Sequence, residues 1–458
     1  MNPFETNINQ FDRAYFIGAG GIGMSALARY FNSLGWRVAG YDKTSTPLTK
    51  ILEKEGIELH YEDLKHSIPQ YFQNTEKTLI VYTPAIPSDF GELAYVRMNG
   101  FVLLKRSQVL GMITRNSKAL GVAGTHGKTT TSTLLAHILD QSKYKCNAFL
   151  GGISTNFNSN FVSSKTSEYT VIEADEFDRS FLQLSPFASI VTSTDADHLD
   201  VYGSNDTFQE GFQHYVELID TNGFLVRHKD VTLNHTQTIS YGLNSGADYT
   251  GKNLRFEQGV FMFDVDTPTG LWGNVTLGIP GIHNAENAIS CIALCSELGL
   301  SETVIRAGLA SFAGVKRRFE YHIKKDTLTY IDDYAHHPTE INALISSVKL
   351  LYPGEKITAI FQPHLFSRTR DFMLDFCTEL SEIDDLVLLP IYPAREKPIP
   401  GITSEKLLDN ISSANKQLLS AKEAIEYVTK TRSGIILTLG AGDIDRIVEP
   451  LKLTLLKQ

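Results

Sequence analysis

The chain has 458 residues, more than one hydrophobic core usually supports, so two or three domains are expected. With 42% hydrophobic and 21% charged residues it has the composition of an ordinary globular protein. A formal charge of −10 and the lack of a basic stripe argue against a nucleic-acid binder.

The N-terminal MNPFETNINQ has neither the basic nor the apolar region of a signal peptide, and no apolar run approaches the roughly 18 residues needed to span a membrane. The expectation is a cytoplasmic protein without membrane partners. Four cysteines (Cys146, Cys291, Cys295, Cys377) show no paired metal spacing. Cys291 and Cys295, four apart in an apolar helix-like run, read as buried thiols.

β-like apolar runs alternate with helix-like periodic segments almost throughout, the pattern of parallel sheets covered by helices. The first block opens with AYFIGAGGIGMSALARYFNSLG, residues 14–35. A strand leads into Gly18, Gly20, Gly21 and Gly23, and a helix follows through Met24, Leu27, Ala28 and Phe31. A second strand, residues 37–41, ends at Asp42, 24 residues after Gly18. Alone, this resembles a dinucleotide fingerprint, although any nucleotide diphosphate suits such a turn. The strand TLIVYTPAIP, residues 78–87, follows, and the block closes near residues 113–117.

The second block begins with GVAGTHGKTTTST, residues 121–133. An apolar strand ends at Ala123, Gly124 to Gly127 turn tightly, and Lys128 and Thr129 open a helix. Gly124, Thr125, His126, Gly127, Lys128, Thr129 and Thr130 thus form a phosphate cradle. Backbone N–H groups and the helix dipole face the anion, the ammonium reaches the outer phosphates, and the threonine hydroxyl can ligate Mg²⁺. The strict spacing would place a glycine at position 122; this chain has Val122, so the loop is a shortened variant. Two later strands, in YTVIEADEFDRSFL and ASIVTSTDADHLDVYGS, empty into acids. Ligands bind beyond the carboxyl ends of parallel strands, so Glu173, Asp175, Asp197 and His198 are expected on the same edge as Lys128. The third block carries LTYIDDYAHHPTEINALISSV and ITAIFQPHLFSRTRDF, in which Arg368 and Arg370 are candidate carboxylate clamps.

Together, GAGGIGMSALA, GTHGKTTT, EADEFDRSFL, DADHLD, GIHNAENAI, KRRFE, DDYAHHPTEI, FQPHLFSRTRDF and YPAREKPIPG resemble the Mur ligase family, the ATP-dependent amide-forming enzymes of peptidoglycan assembly. The resemblance covers nearly the whole chain. It implies a three-domain α/β fold: a Rossmann-like UDP-sugar domain (1–117), a central P-loop ATPase domain with a mainly parallel sheet (118–318), and a Rossmann-like amino-acid domain (319–458). It reverses the dinucleotide reading of the first block. Gly18, Gly20, Gly21, Gly23, Asp42, Thr83 and Arg106 are then expected at the UDP-sugar.

Lys128, Asn284, Asn287, Arg318 and Asp333 are expected at ATP. Thr129, Glu173 and His198 are expected at two Mg²⁺ ions, and Tyr334, His364 and Arg368 at the amino acid. Lys128, Glu173, His198, Arg318 and Asp333 form the expected catalytic set. Within the family the motifs favour coupling of L-alanine to the lactyl carboxylate of UDP-N-acetylmuramate, through an acyl phosphate, by a monomer or weak homodimer. The alternatives are a member that recycles a preformed tripeptide and, from another class, a nicotinamide dehydrogenase. The chain departs from the family pattern at Leu365, where a basic residue is common, at Ser193 and Thr194, and at Phe177.

Overall fold

The computed structural model describes residues 8–195, 202–257, 260–394, 396–413, 415–430 and 433–457. They form two compact units: residues 1–253, 264–275 and 286–312, and residues 254–263, 276–285 and 313–458.

The first unit opens with a five-stranded parallel sheet of β1 (Arg13–Ile17), β2 (Arg37–Tyr41), β3 (Glu58–His60), β4 (Thr78–Tyr82) and β5 (Val102–Lys105), in the order β3-β2-β1-β4-β5. In β1, β2 and β4 all but one residue is buried, which is why they read as continuous apolar runs. The order turns outward in both directions from β1. The crevice beyond the carboxyl ends of β1 and β4 is therefore the switch point where such sheets bind ligands.

The second sheet contains β6 (Lys118–Ala123), β7 (Asn147–Ser154), β8 (Ser159–Val162), β9 (Tyr169–Glu173), β10 (Pro186–Val191), β11 (Phe224–His228), β12 (Thr238–Leu243) and β13 (Tyr249–Glu257). They run β13-β12-β11-β10-β6-β9-β7-β8, and β14 (Val260–Thr267) and β15 (Gly270–Leu277) continue the sheet beyond β13. β6 pairs in parallel with both β9 and β10, which brings Ala123, Glu173 and Val191 to one edge. β7 is parallel to β9, while β8 returns antiparallel to β7, with a register break between Phe149 and Ser154.

Within this unit the helix Ile22–Ser33 is tied to β8. Asn160, fully buried, donates to the Ile22 carbonyl and to Ser25 Oγ and accepts from Arg29 Nη1. Arg29 also forks onto Glu55. All four cysteines are buried free thiols, as expected of Cys291 and Cys295.

The second unit holds a six-stranded sheet of β16 (Glu320–Lys324), β17 (Leu328–Asp333), β18 (Ile357–Phe361), β19 (Asp385–Leu388), β20 (Asn415–Leu418) and β21 (Gly434–Leu439), in the order β16-β17-β21-β18-β19-β20. Among the described residues of this sheet, only β16 is antiparallel to its neighbour. Among the described residues no helix is long and apolar enough to cross a membrane.

Candidate active site

The glycine turn after β1 closes as its spacing predicts. Gly18 has φ +91°, and a Cβ there would stand 2.6 Å from Thr83 Cγ2, so Thr83 lines the turn. Asp42 accepts from the Gly20 N–H at 2.7 Å and from the Thr44 N–H at 3.1 Å. Its carboxylate therefore braces the turn, with both oxygens engaged by backbone. The helix Ile22–Ser33 starts after Gly21 without a side-chain cap, leaving an anion-facing N-terminus. Gly23 leaves room for Arg106, whose Cδ and Nη1 would lie 3.0 Å from an added Cβ. Arg106 Nη2 stands 3.6 Å from Asp175 Oδ2. One guanidinium thus connects the glycine turn to the acidic loop beyond β9.

The second loop is built on the carboxyl end of β6. Gly124 has φ +128° and Gly127 has φ +81°, both in the left-handed region that favours glycine. A Cβ at Gly124 would run into Thr192 Oγ1, and one at Gly127 would meet Asn287 Oδ1 at 2.6 Å. The loop is laced to the segment that follows β10: Thr125 N–H donates to the Ser193 carbonyl, His126 N–H to Ser193 Oγ, and Thr125 Oγ1 to the Asp195 carbonyl. Ser193, one of the departures from the family pattern, thereby fastens the loop. Helix Lys128–Asp140 follows Gly127, again without a side-chain cap.

Lys128 Nζ donates to the carbonyls of Gly124 (2.6 Å) and Thr125 (3.3 Å) and to Glu176 Oε1 at 2.7 Å. Burial works against the ammonium, but the carboxylates of Glu176, Asp175 and Glu173 outweigh it and raise its pKa. Glu176 is 1% exposed, and burial pushes its carboxyl up to about 7 against the pull of Lys128. Glu176 joins the site through a partner 48 residues away, which the EADE segment alone does not signal.

Glu173, last in β9, sits opposite Val122 and accepts from Thr129 Oγ1 at 3.2 Å and from the Gly151 N–H at 3.1 Å. A hydroxyl and a carboxylate at the mouth of an uncapped helix form a hard-oxygen pair suited to Mg²⁺. Asp197 and His198 lie outside the described residues. Asn287, expected near ATP, lies against Gly127 at this edge. Asn284 Nδ2 donates to the Pro280 carbonyl at 2.6 Å.

In the second unit Asp333 is buried at the end of β17. Its oxygens accept from the Phe319 and Ala335 N–H groups, both at 2.7 Å. It holds the Arg317–Phe319 turn, in which Arg317 and Phe319 have positive φ, and so sets the place of Arg318. Burial lifts its carboxyl to about 6, with Arg318 opposing. The Arg318 guanidinium lies 4.9 Å from the Tyr334 ring centroid and 3.9 Å from Glu340 Oε1.

His364 stacks on Tyr392 (5.7 Å, 19°) and meets His336 edge-on at 6.0 Å. Arg368 is buried on the short helix Phe366–Asp371, which Leu365 introduces with φ +72°. Tyr334, His336, His364 and Arg368 thus form one aromatic and cationic cluster, with Glu340 completing its polar edge. Burial, then His336 and Arg368, push His364 down to about 4, so it is neutral near pH 7. The unfolded chain takes up this proton first, so the stability contribution present above about pH 6.5 is lost as pH falls toward 4. A His364→Gln variant should lose that acid-side slope, as read by urea unfolding at pH 4.5 and 7.5; an unchanged slope would contradict the assignment.

Family models match three stretches of the chain: the Mur ligase family catalytic domain at 13–118, the Mur ligase middle domain at 122–295 and the Mur ligase glutamate ligase domain at 317–442. The UDP-N-acetylmuramate–L-alanine ligase of Parabacteroides distasonis is 48% identical over 457 residues, covering 99% of both chains. The crystal structure of a UDP-N-acetylmuramate–alanine ligase from Thermotoga maritima superposes with a TM-score of 0.81 at 27% identity, covering 97% of this chain and 98% of that one. A murein peptide ligase from Psychrobacter arcticus shares the fold, with a TM-score of 0.69 at 23% identity and the same coverage.

Proposed function

Because the chain belongs to the Mur ligase family, we infer that it is the ATP-dependent ligase that joins L-alanine to the lactyl carboxylate of UDP-N-acetylmuramate in peptidoglycan precursor synthesis. End-to-end identity of 48% to a ligase of that name carries the conclusion. The glycine-lysine-threonine loop supplies the chemistry; a nicotinamide dehydrogenase would have no use for it.

A carboxylate and an amine do not condense in water without activation. The carboxylate oxygen attacks the γ-phosphorus of ATP and ADP leaves, giving an acyl phosphate. The amine then attacks the carbonyl carbon, and inorganic phosphate departs with the former carboxylate oxygen. Both first-step partners are anionic, so cationic screening is the main catalytic demand. Lys128 and the N–H groups opening helix Lys128–Asp140 serve the phosphates, and Arg318 adds a second cation. The turn of Gly18, Gly20, Gly21 and Gly23, with Thr83 and Arg106, receives the UDP-sugar. Thr129 and Glu173 would hold one Mg²⁺, and His198 is assigned to a second. When bound, the metal neutralises charge on the triphosphate and the acceptor carboxylate.

Arg368 is buried beside the neutral His364 and is assigned to the alanine carboxylate, for which a guanidinium fork is well shaped. Replacing Arg368 with Ala should raise the KM for L-alanine at least tenfold while leaving that for ATP within about twofold, since removing one buried charged hydrogen bond costs about 1.5–3 kcal/mol. Equal rises in the two constants would remove Arg368 from this role. The division at residues 117 and 318, cytoplasmic placement and a monomer or weak homodimer belong to the same proposal.

The test is an amine panel. Enzyme, UDP-N-acetylmuramate, ATP and Mg²⁺ are incubated with L-alanine, glycine, L-serine or a preformed tripeptide, and the products are weighed by mass spectrometry. The L-alanine adduct should dominate. Tripeptide addition in its place would identify the recycling branch of the family.

A further inference from the structure

The carboxylate of Glu173 is held from two sides, one oxygen on each. Thr129 Oγ1 donates to Oε1 at 3.2 Å, and the backbone N–H of Gly151 donates to Oε2 at 3.1 Å. The two bonds differ in kind. The Thr129 hydroxyl is itself a metal donor and can turn away from Glu173 when a cation arrives. The Gly151 N–H is fixed in a strand and can only donate.

Gly151 reaches this position through the sheet. β7 follows β9 in parallel register from Asn147 to Phe149, and its pairing with β8 breaks between Phe149 and Ser154. Gly151 lies in that break. A Cβ built on Gly151 would overlap both carboxylate oxygens and stand 2.5 Å from Glu173 Cδ. Its φ lies outside the left-handed region, so the backbone would accept alanine. The nearest bar to a side chain is the carboxylate itself.

We propose that Gly151 is a positioning residue for the metal site: the missing side chain lets the β7 backbone close on Glu173 and fix one carboxylate oxygen, leaving the other to face the cation. This rests on the assignment of Glu173 as a metal-holding residue. A strand-borne N–H sets the carboxylate before the ion arrives, which reduces the ordering required on binding. No local sequence pattern signals it, because the partners are 22 residues apart.

Mn²⁺ serves as the probe, with its binding to the enzyme–AMP-PNP complex followed by electron paramagnetic resonance. Gly151→Ala should weaken Mn²⁺ binding at least tenfold and leave AMP-PNP affinity in EDTA buffer within about twofold. Gly246→Ala is the control: Gly246 also lies in the first unit, and a Cβ there meets nothing within 4 Å. It should bind Mn²⁺ as the parent does. Shortening the acid in the double variant Gly151→Ala/Glu173→Asp withdraws the colliding group and should recover at least threefold of the lost affinity. If the single variant does not fold, the double variant should fold and bind Mn²⁺.

Normal Mn²⁺ binding by Gly151→Ala overturns the proposal, and so does a double variant no better than the single one. Glu173→Gln separates the two layers. If it loses Mn²⁺ while Gly151→Ala does not, only the role of Gly151 fails. If Glu173→Gln binds Mn²⁺ normally, the metal assignment of Glu173 fails first.

Discussion

Lys128→Ala should lower kcat by about a thousandfold, roughly 4 kcal/mol of transition-state stabilisation, the scale at which loss of one preorganised electrostatic group is felt. The chemical reason is the approach of two anions, which Lys128 is placed to screen. The structure adds a second consequence. Lys128 is the ion-pair partner of the buried Glu176 at 2.7 Å. Removing one member of a buried pair typically costs about 3–5 kcal/mol, because the other charge is left uncompensated. Glu176 can escape that cost by staying protonated, and burial already holds its carboxyl at about 7. The stability deficit of Lys128→Ala should therefore grow as pH rises past 7, where the buried acid, without the ammonium, must either ionise or stay protonated against the pH.

The double variant Lys128→Met/Glu176→Gln distinguishes the two effects. It should recover most of the lost thermal stability and none of the activity. Steady-state kinetics beside thermal melts at pH 6 and 8 check both statements. Near-normal kcat in Lys128→Ala would refute the role of the loop.

Glu173→Gln should be nearly as damaging, with kcat falling about 10²–10³-fold. The amide keeps the size of the side chain; its one oxygen can still accept from the Gly151 N–H while its NH₂ group donates to Thr129 Oγ1, so the fold should be spared. The lost charge should appear as a higher Mg²⁺ requirement. ADP release measured across a Mg²⁺ series should show a midpoint displaced at least tenfold upward. An unchanged midpoint would mean that Glu173 holds no metal.

Much of the architecture was readable in the chain because parallel strands are buried on both faces. The runs ending at Ile17, Tyr41, Ala123 and Glu173 stand out as continuous apolar stretches, and each is followed by turn glycines or acids. The phosphate loop was readable for a related reason: Gly124 and Gly127 occupy backbone conformations and close approaches that other residues resist. Contacts between segments distant in sequence were not readable. The pairing of Glu176 with Lys128 spans 48 residues, and nothing in EADEF indicates which acid will turn inward.

Asp42 and Asp333, expected at the UDP-sugar and at ATP, stand at the ends of β2 and β17, as the apolar runs before them indicate. Their carboxylates nevertheless accept from backbone N–H groups, so in this structure they shape loops. Leu365 departs from the family's basic residue, yet the neighbouring His364, Tyr392 and Arg368 still form a compact cluster. His198 falls among residues the structure does not describe, and its metal role stands as a proposal.

The central claim is that ATP phosphorylates the sugar-borne carboxylate before the amide forms. The most direct measurement uses UDP-N-acetylmuramate with ¹⁸O in both lactyl carboxylate oxygens, together with ATP, Mg²⁺ and L-alanine. Inorganic phosphate recovered from the reaction should carry one ¹⁸O atom for each amide made, with an equal yield of ADP. Amide formed while the phosphate remains unlabelled would contradict the account.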